Sequence, residues 1–123
     1  MIKSVLAVLF LTGMAVAQSP NPVHRNVVSA AGGYTEVVQA SGSTTYCLRQ
    51  IKVRCARSLV GSAVVFSSGN VAQSLGSLSE FGILSKVYSL EQSPVGEQGQ
   101  ALGIVLPEEA SGCTVAMFYQ EAP

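Results

Sequence analysis

Short runs rich in Val, Ile, Thr, Tyr and Leu recur along this chain, each cut off by a cluster of Ser and Gly. They lie at 26–30, 34–40, 44–55, 59–66, 81–90, 101–106 and 113–119. That recurrence constrains the fold more than any single motif does. Runs of this length and spacing, joined by turn residues, build antiparallel sheets that bury one face each. Strands alternating with long amphipathic helices, which would build a parallel sheet, are not what the pattern offers. The expected fold is therefore mainly β: an antiparallel β-sandwich or small barrel of about seven strands.

At most one short helix is expected, over about 70–80. Asn70 can cap it, and Val71, Leu75 and Leu78 would share a face, although Gly76 weakens it. The segment 44–55 alternates imperfectly. Cys47, Arg49, Ile51, Val53 and Cys55 fall on one side; Tyr46, Leu48, Gln50, Lys52 and Arg54 fall on the other. A helix over 48–59 competes, with Leu48, Ile51, Cys55 and Leu59 in helical phase. The β-branched and aromatic content of Thr44, Thr45, Tyr46, Ile51 and Val53 decides for a strand. Gly61 marks a bulge within 59–66. Only 11% of the residues are charged, against roughly 25% in an average domain. Strands rather than charged helices account for that deficit, with turns built from Ser and Gly.

The first residues read as an export signal. Lys3 precedes an apolar run from Val5 to Val16, and Ala15 and Ala17 place small residues at positions −3 and −1 of a cleavage site. The run is shorter than the ~20 residues a membrane-spanning helix needs. The expected organisation is a signal peptide at 1–17, a flexible lead-in or short propeptide at 18–25 ending in His24-Arg25, and one β-rich domain at 26–123. The expected location is secreted, or periplasmic in a bacterium.

Export makes the cysteines informative. Cys47, Cys55 and Cys113 are an odd set for an oxidising compartment, so one disulfide and one leftover thiol are expected. On one extended strand Cys47 and Cys55 stand about 26 Å apart, at roughly 3.3 Å per residue. A disulfide needs its Cα atoms within about 7 Å, so these two cannot bond to each other. Cys113 is therefore the partner of one of them; antiparallel pairing of the last strand with the 46–55 strand sets it beside Cys55, so Cys55–Cys113 is the expected bridge, with Cys47 as the alternative partner. Cys47 is then a buried small hydrophobe, or the point of a covalent link to a second molecule.

Charge is segregated. Between 37 and 79 the only charges are Arg49, Lys52, Arg54 and Arg57; from 80 onward six Glu stand against Lys86 alone. The four cations are a candidate patch for an anionic ligand, a polysaccharide, a lipid headgroup or nucleic acid, and an unknown protein partner is also open. Four charges with little aromatic interleaving are too few for nucleic acid. The plainer reading is a solvated strand face neutralised by the later glutamates.

No catalytic set is legible. His24 is the one histidine and falls in the expected lead-in; there is no Asp, and Glu108-Glu109 decorate a turn after Pro107. No Cys/His spacing fits a metal, and no phosphate loop sits between a strand and a helix. Hence no cofactor and no metal are expected. In its general make-up the chain resembles small secreted proteins of fungi and their effectors, a likeness of composition that gives no residue a role. The leading expectation is a small secreted disulfide-containing β-sandwich, not an enzyme, that acts by binding, effector-like, on a host or competitor molecule. The alternatives are a structural subunit of an extracellular assembly, associating through Cys47 or the segregated charge, and an enzyme with a Ser/Glu-based site.

Overall fold

The computed structural model describes residues 21–58 and 60–123. The expected signal peptide and the first part of the lead-in lie outside the described residues. Among the described residues there are eight strands and no helix: β1 (His24–Ala30), β2 (Gly33–Val38), β3 (Tyr46–Arg57), β4 (Ala63–Ser68), β5 (Val71–Ser77), β6 (Ile83–Val87), β7 (Leu102–Leu106) and β8 (Ser111–Glu121). They form two antiparallel four-stranded sheets, in the orders β1-β8-β3-β6 and β2-β7-β4-β5. Successive strands cross from one sheet to the other except at the β4–β5 hairpin, and the order is that of a jelly roll.

The mainly-β sandwich is as the sequence indicates. The two inner faces carry the core. Leu48, Ile51 and Val53 of β3 and Val115 and Met117 of β8 face Val64 and Phe66 of β4 and Leu102, Ile104 and Leu106 of β7; each of these side chains is buried. Burying a side chain of this size contributes about 1.5–3 kcal/mol, so the two central strand pairs carry most of the stability.

The expected helix at 70–80 is a strand instead. Ser68-Gly69-Asn70-Val71 is a tight hairpin turn, with Gly69 at φ 57°. Glycine takes that conformation without a Cβ penalty. Asn70 caps no helix: its N–H donates to Glu97 Oε2 at 2.5 Å. Val71, Leu75 and Leu78 are in helical phase only because Leu75 alone of β5 is fully buried, while Leu78 lies past the strand's end, where its N–H bonds the Ser62 carbonyl. Gly61 is not a bulge either. It sits in the β3–β4 connection at φ 80°, and the bulge falls at Val64/Val65.

The imperfect alternation of β3 has a local cause. The register with β8 shifts between Leu48 and Gln50, leaving Arg49 as the extra residue. A one-residue insertion reverses which face each side chain takes. Leu48 therefore joins Ile51, Val53 and Cys55 on the core face, while Cys47 turns outward opposite Gln120. His24 and Arg25, expected in the flexible lead-in, open β1 opposite Tyr119 and Phe118.

Candidate functional site

The outer face of the β1-β8-β3-β6 sheet is built of three rows across four strands. One is Arg25, Phe118, Gln50 and Val87; the next Val27, Ala116, Lys52 and Ser85; the third Ser29, Thr114, Arg54 and Ile83. Lys52 and Arg54 are both exposed, two residues apart on the central strand and so about 7 Å apart. Their register neighbours are small or uncharged: Ala116 and Ser85, Thr114 and Ile83. The short side chains leave a shallow hollow of about 560 Å³ between the cations. Arg25 completes the face from the edge strand, its guanidinium 5.7 Å from the Phe118 ring centroid, a favourable cation–π distance.

Of the four cations singled out in the sequence, the fold brings together only Lys52 and Arg54. Arg49, thrown out by the bulge, is half-buried and structural. Its Nη1 donates to Gln120 Oε1 at 2.6 Å and its Nε to the Tyr88 carbonyl at 3.2 Å. Arg57 lies at the far end of β3 opposite Ser111, and lines a separate hollow with Glu80 and Phe81. The expected cross-strand neutralisation is not what the registers show. β3 does pair with β8, but Glu80, Glu91, Glu97, Glu108 and Glu109 sit in connections, and Glu121 pairs with Tyr46 at the end of β8.

The cysteines fall as expected. Cys55 and Cys113 form a disulfide. Cys47 is free and 1% exposed, held between Gln120 of β8 and Val95 of the β6–β7 loop. A covalent link through Cys47 would first require this end of β3 to open.

A second cleft, of about 450 Å³, opens where the edge strands β1 and β2 meet. Asn26 clasps the two sheets there. Its Nδ2 donates to the Val37 carbonyl at 3.0 Å, and its Oδ1 accepts from the Tyr119 hydroxyl at 3.1 Å. Tyr119 meets Tyr46 edge-on with centroids 5.3 Å apart, and His24 lies 5.7 Å away on its other side. Burial raises the Tyr119 phenol pKa and Tyr46 adds to the rise, while the hydrogen bond to Asn26 opposes it. Asn26 and the Tyr119 hydroxyl satisfy one another, and Glu36, Gln39 and Tyr46 also line the cleft. Sequence reasoning passed over His24 because a segment with two prolines reads as flexible; its pairing with β8 is a long-range fact.

No protein-family model matches the chain, and no curated protein matches it. A solved structure of AlgX from Pseudomonas aeruginosa is similar over 87% of this chain and 28% of its own, at 15% identity and a TM-score of 0.39. A likeness at that level bears on neither fold nor activity.

Proposed function

We propose that this is a secreted binding protein that engages an acidic extracellular ligand on the outer face of its β1-β8-β3-β6 sheet. One observation carries the reading: Lys52 and Arg54 stand together at the centre of an exposed face with no carboxylate in register beside either. Unneutralised cations over a shallow hollow raise the local concentration of anions and steer them in. The groups recognised are the sulfates or carboxylates of a glycan, or lipid phosphates. Export is supported by the Lys3-to-Ala17 pattern and by a disulfide suited to an oxidising compartment.

Retention on immobilised heparin, with anionic phospholipid vesicles as a second arm, tests this. The wild-type chain is expected to bind at low salt and to elute as the Debye length falls from about 10 Å at 0.1 M toward 3 Å at 1 M. Lys52→Ala/Arg54→Ala should elute early, and Arg57→Ala close to wild type. Equal loss in both variants would mean that net charge alone is read, and would sink the proposal.

A specific placement also favours the assembly reading. Glu80, Glu108 and Glu109 share one end of the sandwich, in the β5–β6 and β7–β8 connections, where a neighbouring copy's Lys52–Arg54 face would find an acidic surface. Light scattering over a concentration series distinguishes it: salt-sensitive growth in mass supports a subunit, a constant monomer rejects it.

A further inference from the structure

The opposite sheet carries a feature that the cationic face does not use. On the outer side of β2-β7-β4-β5, Tyr34 and Val65 both pair with Val105, while Glu36 and Ser67 both pair with Gly103. Tyr34 is 53% exposed, yet its ring leans along the sheet over Gly103. A Cβ on Gly103 would stand 2.5 Å from Tyr34 Cε1 and 2.6 Å from Cζ. Gly103 is buried although it points outward, because that ring is its cover. A glycine in a strand interior is a place where another group approaches the backbone closely; here the group is an aromatic ring laid against the sheet.

Polar groups flank the ring. Glu36 follows Tyr34 on the same face, and Ser67 stands across Gly103 from it. Burial and, after it, the Glu36 charge raise the Tyr34 phenol pKa, consistent with a carboxylate close to the hydroxyl. Beyond, β4 and β5 present Val65 and Ser74 in the Tyr34 row and Ser67 and Ala72 in the Gly103 row, so the ground beside the ring is low on the Gly103 side.

We infer that Tyr34 is the stacking platform of a saccharide-binding subsite on this face, with Glu36 and Ser67 hydrogen-bonding the hydroxyls of the stacked sugar. A pyranose has an apolar C–H face and a polar rim. An aromatic ring with one face against the sheet and the other toward solvent buries the first, and a carboxylate and a hydroxyl at its edges serve the second. A protein partner would need a broad apolar centre. Only Tyr34 and Val105 are large and exposed among these positions. Glu36 disfavours sulfated and uronate sugars, so the ligand class is a neutral polysaccharide with a flat, equatorially linked chain. This subsite is independent of the cationic face. A single ring binds weakly, with Kd on the order of millimolar, and a polymer gains by repeated engagement.

The test is pull-down of the oxidised full chain on crystalline cellulose and on chitin, with NMR titration of cellohexaose and chitohexaose up to on the order of 10 mM. Wild type is expected to bind at least one. Tyr34→Phe should keep most of that binding, because the platform remains. Tyr34→Ala should weaken it about tenfold or more, the usual worth of an aromatic stack. Glu36→Gln should weaken it several-fold, and Lys52→Ala/Arg54→Ala should leave it unchanged, which separates this subsite from the acidic-ligand face. Tyr34 is half exposed, so its variants should keep the wild-type circular dichroism. Wild type that binds none of the four probes overturns the inference, as does a folded Tyr34→Ala that binds like wild type. Tetramethylammonium perturbing Tyr34 where sugars do not would also overturn it, in favour of a cation site.

Discussion

Cys55 and Cys113 face each other as register partners on β3 and β8, and the bond between them closes a loop of 58 residues. Constraining a loop of that size in the unfolded chain is worth about 4 kcal/mol, a large share of the 5–15 kcal/mol that stabilises a typical domain. Cys55→Ala/Cys113→Ala, or reduction, should therefore lower the urea midpoint by roughly 2 M at a slope of about 2 kcal/mol/M. An unchanged midpoint would show that the bridge constrains nothing the β3–β8 ladder does not already hold. The same material gives a second reading: a thiol reagent should modify Cys47 only on unfolding, because its sulfur is buried.

Arg49 and Gln120 make a prediction that separates two assays. Gln120→Ala removes an acceptor from a half-buried guanidinium, and orphaning such a group costs about 1–3 kcal/mol. Thermal unfolding should report that loss, while heparin retention at constant fold stays at the wild-type level. A variant that loses retention without losing stability would place Arg49 in the binding face after all.

Gly82 and Gly42 separate two costs of a Cβ. Both have positive φ, 73° and 52°. At Gly42 nothing lies within 4 Å of a Cβ, whereas at Gly82 the Cys55 carbonyl oxygen would be 2.5 Å away. Gly42→Ala should cost only the left-handed penalty of about 1 kcal/mol. Gly82→Ala should cost clearly more, since it also pushes the β5–β6 connection off the Cys55 N–H that donates to its carbonyl. Equal costs in chemical denaturation would contradict this geometry.

Alkaline pH should weaken the fold. Burial raises the phenols of Tyr34, Tyr88 and Tyr119 above their ordinary value of 10.0. Groups that hold their protons more tightly when folded contribute stability below the unfolded pKa and lose it as pH rises through the folded one. The unfolding midpoint should thus be flat below about pH 10 on account of these groups and fall above it. Phenolate absorbance should appear at higher pH in the folded chain than in urea. Glu36→Gln should bring the Tyr34 transition down, because the carboxylate's charge no longer opposes ionisation.

The β-rich class and the exclusion of a Cys47–Cys55 bridge were legible in the sequence because both rest on local facts, and an antiparallel pairing of the last strand with the 46–55 strand then pointed to Cys55–Cys113. Periodicity and β-branched content mark strands, and two cysteines eight residues apart on one strand cannot meet. The helix expected at 70–80 failed because apolar spacing over one short segment does not distinguish a helical stripe from a hairpin strand with one core residue. The Gly69 turn and the Glu97 contact that settle it involve residues up to 27 apart.

The candidate sites divide along the same line. Lys52 and Arg54 were visible because two residues apart on a strand means one face. Arg49 and Arg57 were grouped with them by proximity in sequence, and the bulge and the strand end removed them. Arg25, the Asn26 clasp and the Tyr34–Gly103 contact came only with the tertiary structure. By itself the sequence determined the β-rich class and most of the strand segments, and that Cys47 and Cys55 cannot bond to each other, since those follow from local pattern and strand geometry. Tertiary structure alone decided strand order, register and which outward residues share a face, because a slip of one residue at Arg49 turns every later side chain to the other side.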